Sequence, residues 1–124
     1  MQYRDFGKHG FKVSEIGHGL WGMGGWTDAD DKQSMEALEL SLELGCNFYD
    51  TAWAYGDGHS ENLLRDLIRN HPGKEIIVAT KVPPKSWEWP ANPKQNIKDT
   101  YPAAHIIDYT KRSLENLGVD RIDI

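Results

Sequence analysis

Short apolar segments alternate with helical segments along this chain of 124 residues, and that alternation constrains the fold more than any other feature. The clearest apolar segment is IIVAT at residues 76–80, an almost continuous run of the kind buried on both faces of a parallel sheet. We predict four strands, at residues 15–20, 47–50, 75–82 and 121–124. Between them the spacing of apolar residues predicts three helices, at residues 31–44, from Ser60 to Pro72, and at residues 103–117. Strand–helix–strand units of about thirty residues are typical of βαβ units in a parallel sheet, and the length suits one domain.

Two segments depart from this alternation. Residues 3–6 and 11–14 flank Gly7-Lys8-His9-Gly10, a pattern that predicts an N-terminal β-hairpin. Residues 83–102 contain five prolines and two tryptophans, which favours a long, ordered surface loop over a flexible linker. The pattern alone predicts an α/β fold with a parallel sheet, and it leaves both a barrel and a doubly wound sheet open.

The predicted helix ends depend on capping residues. The acidic segment DADD at residues 28–31 offers N-caps for the first helix, and Gly45 suits the position just after its end. Ser60 is the predicted N-cap of the second helix, which Pro72-Gly73 ends. Gly118 ends the third helix.

Composition excludes several classes of function. The net charge of −5, without a cluster of Lys and Arg, argues against a nucleic-acid partner. The single cysteine, Cys46, excludes a disulfide framework, suits a reducing compartment and is expected to be a small buried side chain. No apolar run approaches the ~20 residues of a membrane span, and the first ten residues lack the apolar part of a signal peptide. We therefore expect a soluble, cytoplasmic domain that binds neither nucleic acid nor membrane.

Polar side chains stand where the predicted strands end. Asp50 ends the second strand, Lys81 ends the third, and Tyr55 lies in the loop after the second. Because the carboxyl ends of parallel strands meet at one edge of the sheet, we expect these three side chains to converge, with Tyr55 Oη within about 5 Å of Lys81 Nζ. The ammonium favours loss of the phenol's proton and the carboxylate holds the ammonium in place, so the trio could protonate an oxygen on which charge develops. Taken singly, each has an ordinary alternative: a helix cap, a packing ring and a solvated charge.

Four segments resemble the aldo-keto reductase family: VSEIGHGLWGMGG, NFYDTAWAYGDGHSENLL, IIVATK and KRSLENLGVDRIDI. The bacterial NADP-dependent oxidoreductase branch is the most similar, and the potassium-channel β-subunit branch shares the same order. The pattern DTAxxYGxxxSE is the most specific part, and the resemblance runs from Tyr3 to the last residue. It implies a (β/α)8 TIM barrel, of which residues 1–124 supply the N-terminal hairpin and roughly the first three to four βα units of a single domain.

The resemblance also implies an activity, the reduction of aldehydes or ketones to alcohols with NADPH as cofactor. It implies that Asp50, Tyr55 and Lys81 are catalytic, with Tyr55 as the proton donor. The family's fourth catalytic residue is a histidine at the end of the strand that begins at Arg121, and none of the five histidines here fills that position. We therefore expect residues 1–124 to be part of a longer reductase or a truncated one, and to be inactive alone. Glu61 matches an acidic position of the family, where helix capping is the expected role.

Residues for ligand binding follow from the same resemblance. Leu20, Trp21 and Asp50 would contact the nicotinamide end of the cofactor. Trp53 and Tyr55 would bind the carbonyl substrate, although a buried structural role suits Trp53 nearly as well. The resemblance does not identify the substrate, because the substrate loops of the family come largely from later parts of the barrel. Trp87 and Trp89 fit either an aromatic wall or a loop anchor.

Two other functions fit parts of the sequence. A reductase-like scaffold could sense a nucleotide or bind a partner, and open half-barrel edges would allow self-association. A hydrolytic metal site formed by Asp50, His59 and Glu61 is a weaker alternative, because clustered histidine ligands are missing and we expect no metal.

Overall fold

A computed structural model of the chain describes residues 1–26, 28–90 and 92–124. It contains a two-stranded antiparallel hairpin and a three-stranded parallel sheet whose strands are adjacent in chain order. The strands are β1 (Tyr3–Asp5), β2 (Lys12–Ser14), β3 (His18–Gly19), β4 (Phe48–Asp50) and β5 (Ile77–Ala79). The predicted hairpin and the parallel order are thus confirmed, and no topological switch separates β3, β4 and β5.

The parallel strands are shorter than predicted. The pairing of β3 with β4 stops at Leu20, whose N–H donates to the carbonyl of Asp50 at 2.9 Å. Directly afterwards the chain turns into a 3-10 helix, Trp21–Met23, which takes it out of the sheet. The prediction of a strand over residues 15–20 was therefore too long.

The predicted fourth strand, at residues 121–124, is not formed, although Ile124 bonds to β5. Ile124 donates its N–H to the carbonyl of Val78 at 3.1 Å and accepts from the N–H of Thr80 at 3.2 Å. These bonds flank Ala79 and place Ile124 beside β5 in a parallel register. The prediction therefore holds only for the position of Ile124 beside β5.

Four helices complete the described chain: α1 (Asp31–Glu43), α2 (His59–Asn70), α3 (Ile97–Thr100) and α4 (Ala103–Leu117). The three predicted helices are confirmed as α1, α2 and α4. The short α3 lies within residues 83–102, which were predicted to be loop throughout; residue 91 of that segment is outside the described residues. No helix of the described ranges combines the length and the apolar character needed to cross a membrane.

The helix ends confirm most of the predicted caps. Asp30 accepts the N–H of Lys32 at 2.9 Å and so caps α1, and Gly118 ends α4 at a φ of +64°. The prediction for Ser60 was wrong. α2 begins after Gly58, and Ser60 lies inside its first turn, where its hydroxyl bonds to Thr51 instead of a helix N–H.

The core lies between the parallel sheet and the helices that follow its strands. Leucines of α1, α2 and α4 pack with Leu20, the first residue after β3, and with the ring of Tyr49 in β4. The fully buried apolar members are Leu20, Leu38, Tyr49, Leu64, Leu67 and Leu117. Cys46 is buried as predicted, and its thiol contacts the carbonyls of Ile16 and Phe48 at 3.4 Å each. This core fixes the carboxyl ends of β3, β4 and β5 at one edge of the sheet.

Candidate active site

Asp50, Tyr55 and Lys81 converge at the carboxyl edge of the parallel sheet. Lys81 Nζ donates to Asp50 Oδ1 at 2.6 Å and to the carbonyl of Thr51 at 2.8 Å. The same nitrogen lies 3.5 Å from Tyr55 Oη and 5.2 Å from the centre of the phenol ring. The predicted convergence, within about 5 Å, is therefore what the structure shows.

Backbone contacts hold these positions together. The N–H of Thr51 donates to the carbonyl of Ala79 at 2.9 Å, and the N–H of Trp53 donates to the carbonyl of Lys81 at 3.3 Å. The chain that leaves β4 therefore stays next to the chain that leaves β5. As a result, residues about thirty apart in sequence present their side chains on one surface.

A glycine brings the Tyr55 turn against the loop that follows β3. Gly56 has a φ of +70°, and a Cβ at this position would lie 2.4 Å from the carbonyl oxygen of Gly24. No other residue type fits both the backbone conformation and that approach. The approach sets Trp26 close to Tyr55, with ring centres 5.9 Å apart and planes at 89°.

The ion pair between Lys81 and Asp50 is accessible to water. The two side chains are 49% and 43% exposed, so solvent screens their attraction and the pair adds little to the free energy of unfolding. The ion pair instead orients the ammonium. Asp50 and the Thr51 carbonyl both accept from Lys81 Nζ and hold it beside the Tyr55 phenol.

A cavity of about 550 Å³ opens beside Tyr55 and Lys81. Its other walls are mainly aromatic rings and prolines, among them Trp21, Trp26 and Trp89. A cleft with apolar walls and a few convergent polar groups is typical of a small-molecule site. The polar groups here include the Tyr55 phenol and the Lys81 ammonium.

The structure brings only some of the predicted binding residues to this cleft. Trp21 lines it and is 60% exposed, whereas Leu20, one residue earlier, is fully buried in the core. Trp53 is not among the lining residues. Its ring packs edge-on against Tyr109, with centres 4.7 Å apart, and against Trp87 at 5.6 Å. These ring contacts are the ones expected from the structural alternative for Trp53.

Two aromatic residues of the cleft wall, Trp26 and Tyr101, were not predicted from the sequence. A signal for Trp26 was present, because it follows the first predicted strand and lies at the same edge as Asp50. Tyr101 gave no comparable signal, since it comes from the far end of the proline-rich segment, whose path the sequence pattern does not define.

A buried polar network lies directly behind the convergent side chains. Glu61 is fully buried, and its carboxyl oxygens accept from Thr80 Oγ1 at 2.7 Å and from Asn116 Nδ2 at 2.8 Å. Ser60 Oγ and Thr51 Oγ1 are 2.6 Å apart and both residues are fully buried. Glu61 lies in the first turn of α2, where the helix dipole favours a carboxylate, but its hydrogen bonds go to other elements.

The groups of the metal-site alternative each have a different partner. His59 Nε2 lies 2.7 Å from Asp31 Oδ1, while Asp50 binds Lys81 and Glu61 binds Thr80. Within residues 1–26, 28–90 and 92–124, no group of three or more His, Cys, Asp or Glu side chains could hold a metal ion. The described residues therefore give this alternative no support.

The sequence of the chain is similar to a known family and to individual proteins. The family model described as the Aldo/keto reductase family matches residues 15–124. The aldo-keto reductase YhdN of Bacillus subtilis is 32% identical over 127 residues, covering 100% of this chain and 37% of the relative. A probable voltage-gated potassium channel subunit beta of Arabidopsis thaliana is 31% identical over 126 residues, covering 100% of this chain and 36% of the relative.

Solved structures give the same result for the fold. A putative aldo-keto reductase from Pseudomonas aeruginosa superposes with a TM-score of 0.75 at 34% identity, over 97% of this chain and 43% of that one. This likeness confirms the (β/α)8 barrel, of which the chain contains the hairpin and three βα units. The chain spans 36–37% of the length of the curated relatives it matches.

Proposed function

Because the chain belongs to the aldo/keto reductase family, we propose that the protein reduces aldehydes or ketones to alcohols with a reduced nicotinamide cofactor. The observation that supports this most directly is the position of Lys81 Nζ, bonded to Asp50 and the Thr51 carbonyl and 3.5 Å from Tyr55 Oη. This arrangement serves proton transfer to an oxygen better than it serves stability, since the ion pair is half-exposed.

In the proposed reaction Tyr55 donates the proton. As hydride reaches the carbonyl carbon, negative charge develops on the carbonyl oxygen, and the Tyr55 Oη proton moves to that oxygen. The phenolate that remains is stabilised by the Lys81 ammonium, whose position Asp50 and the Thr51 carbonyl maintain. A proton from solvent then restores the phenol.

The proposed cofactor is NADPH, which would supply the hydride when bound. The residues at the end of β3 fit its nicotinamide ring, because Trp21 offers an exposed aromatic surface on the wall of the same cleft as Tyr55. Asp50 lies at the neighbouring strand end. The side chain of Leu20 is fully buried, so we restrict the proposed contacts to Trp21 and Asp50. The choice of NADPH over NADH rests on the resemblance to the NADP-dependent branch.

The proposed substrate site is the aromatic part of the cleft. Trp26 and Trp89 line it together with Tyr55, and they replace Trp53 in our proposal, since that ring packs against Tyr109. A cavity of about 550 Å³ with these walls suits a small apolar aldehyde or ketone whose oxygen reaches Tyr55 Oη.

The test is oxidation of NADPH, followed at 340 nm, by the whole protein with 4-nitrobenzaldehyde. We expect turnover, and we expect Tyr55→Phe to lower it about 10²–10⁴-fold, the usual contribution of a general acid. Tyr101→Phe is the matched control, because it removes another phenol of the same cleft and should retain most of the activity. Nucleotide binding without turnover would contradict the proposal and support the scaffold alternative. The same assay on residues 1–124 alone tests the expectation that they are inactive by themselves.

A further inference from the structure

The first turn of α2 bonds to both strand ends that carry the proposed catalytic residues. Ser60 and Glu61, the second and third residues of this helix, are both fully buried. Ser60 bonds to Thr51, which directly follows Asp50, and Glu61 bonds to Thr80, which directly precedes Lys81. Consecutive residues of one helix thus hold the neighbours of two catalytic positions that are thirty-one apart in sequence.

The Ser60 bond acts close to the Lys81 ammonium. Thr51 uses its hydroxyl for Ser60, at 2.6 Å, and its carbonyl for Lys81 Nζ, at 2.8 Å. A shift of Thr51 would therefore move the acceptor that, together with Asp50, directs the ammonium toward the phenol. The hydroxyl pair is buried and short, so it leaves Thr51 little freedom.

The Glu61 bond is itself fixed by a third element. One carboxyl oxygen accepts from Thr80 and the other from Asn116 of α4, at 2.7 and 2.8 Å. A fully buried carboxyl group is costly unless it is hydrogen-bonded, and a well-packed apolar residue at such a site is often neutral or stabilising. The apolar face of α2 already supplies Leu64 and Leu67 to the core. The need for stability therefore does not explain a carboxyl group at this position.

We propose that Ser60 and Glu61 are positioning residues for the reaction, Ser60 through Thr51 and Glu61 through Thr80, so that the α2 first turn sets the place of Lys81 beside Tyr55. The expected effect of Ser60 and Glu61 on turnover rests on the proposed reductase function. Their expected effect on the position of Lys81 does not depend on that function.

The first experiment measures the geometry in solution. In protein labelled with ¹⁵N and ¹³C, the scalar coupling between Lys81 Nζ and the Thr51 carbonyl carbon reports the hydrogen bond that Nζ donates to the carbonyl oxygen at 2.8 Å. We expect Ser60→Ala, Glu61→Leu and Thr80→Val to reduce this coupling at least about twofold, because a bond of this kind weakens steeply with distance and angle. A purely structural role would lower the unfolding free energy and leave the coupling of the folded molecules unchanged.

Two further variants separate hydrogen bonding from other causes. Glu61→Gln can accept from Asn116 with its oxygen and donate to the Thr80 hydroxyl with its nitrogen, so it should restore the coupling that Glu61→Leu loses. Ser113→Ala is the matched control on the facing helix. Ser113 is buried, and its hydroxyl has no hydrogen-bond partner within the part of the chain that the structure describes.

The second experiment measures kinetics in the same variants. We expect Ser60→Ala and Thr80→Val to lower kcat on the order of 10- to 100-fold with KM changed less than about twofold, since misplacement of a reacting group mainly affects the chemical step. Glu61→Gln and Ser113→Ala should keep kcat within about threefold of the parent protein. If Glu61→Leu does not fold, Ser60→Ala and Thr80→Val decide the question.

The outcomes distinguish this inference from the proposed function. Coupling and kcat that stay at the Ser113→Ala values in Ser60→Ala and Thr80→Val would overturn the positioning role. A parent protein without turnover would overturn the proposed function, while the coupling measurements would still support or contradict the positioning of Lys81.

Discussion

Lys81 Nζ and Asp50 Oδ1 lie 2.6 Å apart, at the carboxyl ends of two adjacent parallel strands. Another pair in the molecule, Lys12 Nζ with Asp5 Oδ1, has the same 2.6 Å separation but joins the two strands of the hairpin. Both pairs are accessible to solvent, so neither adds much to the free energy of unfolding. They differ in surroundings, because Lys81 also donates to the Thr51 carbonyl and lies 3.5 Å from the Tyr55 phenol oxygen.

The first prediction uses this contrast. Asp50→Asn keeps the shape of the side chain and removes its charge, so a neutral amide oxygen replaces the carboxylate that orients the Lys81 ammonium. We expect turnover with 4-nitrobenzaldehyde to fall about 10- to 100-fold, the size of effect that misplacement of a reacting group produces. Asp5→Asn removes the carboxylate of the hairpin pair and should leave turnover unchanged. Equal activity in the two variants would show that the ion pair at the sheet edge does not orient the proposed acid.

The convergence of Asp50, Tyr55 and Lys81 was predictable because parallel strands leave few choices. Once the order of strands and helices is known, the carboxyl ends of the parallel strands must meet at one edge of the sheet. Residues at those ends must then be neighbours. Hydrophobic spacing gave that order without knowledge of any contact. The strand lengths were less predictable, because the pairing of β3 ends where Trp21–Met23 turns into a 3-10 helix.

The contacts behind the site were not predictable in the same way. Ser60 has the residue type of a helix cap, and the sequence pattern could not show that the Thr51 hydroxyl competes for it. Glu61 and Asn116 are 55 residues apart, and the pairing of these side chains depends on how α2 and α4 pack. Trp53 lies between Asp50 and Tyr55 in sequence, yet the turn directs its ring to Tyr109 of α4. Side-chain direction in turns is decided by tertiary packing, which short-range patterns do not contain.

The second prediction concerns the glycine before α2. Gly58 has a φ of +91°, and a Cβ there would lie 2.3 Å from Asn116 Nδ2, the atom that donates to Glu61. Gly58→Ala combines backbone strain with this clash. We therefore expect it to lower the free energy of unfolding, measured by urea denaturation, by about 2–5 kcal/mol. Gly10→Ala is the control, since Gly10 has a φ of +81° with nothing within 4 Å of the added atom.

The control should cost only about 1–2 kcal/mol, the strain of a left-handed backbone. The difference between the two variants therefore measures the clash with Asn116. Equal losses would mean that the Asn116 side chain moves aside freely, and that its bond to Glu61 is weaker than the geometry indicates.

The third prediction is a pH dependence of stability. Burial raises the pKa of Tyr49 to about 12, with a smaller opposing effect of the hydrogen bond to Ser41. The phenol of an unfolded chain titrates near ~10. Between these values the unfolded chain has lost the Tyr49 proton and the folded chain keeps it, so rising pH favours unfolding. This contribution is complete below pH 10 and is lost by about pH 12.

We expect the free energy of unfolding to fall by about 1.4 kcal/mol per pH unit over that window from Tyr49 alone. Tyr49→Phe should remove this part of the slope when unfolding by urea is followed from pH 9 to 12. Phe48→Leu is the control, because it changes the neighbouring ring of β4 without removing an ionisable group and should leave the slope as it was. A slope that Tyr49→Phe leaves unchanged would show that the ring is hydrated in the folded protein.

The last prediction assigns different roles to two tryptophans of the proline-rich segment. Trp87 packs against Trp53 at 5.6 Å and Tyr109 at 6.4 Å, which ties the segment to α4. Trp89 is 80% exposed and lines the cleft beside Tyr55. The sequence left open whether these rings form a wall or an anchor, and the structure gives one ring to each role.

A backbone hydrogen bond inside the segment can be used to test whether Trp87 holds the segment in place. The N–H of Lys85 donates to the carbonyl of Thr100 at 2.9 Å and so joins the two ends of the segment. Trp87→Ala removes ring contacts that are worth about 1 kcal/mol or more, and we expect exchange of the Lys85 amide to accelerate on the order of tenfold in deuterated solvent. Trp89→Ala should leave that exchange unchanged and raise KM for 4-nitrobenzaldehyde several-fold, because it removes part of the cleft wall and none of the anchor. Faster Lys85 exchange in Trp89→Ala than in Trp87→Ala would reverse the two assignments.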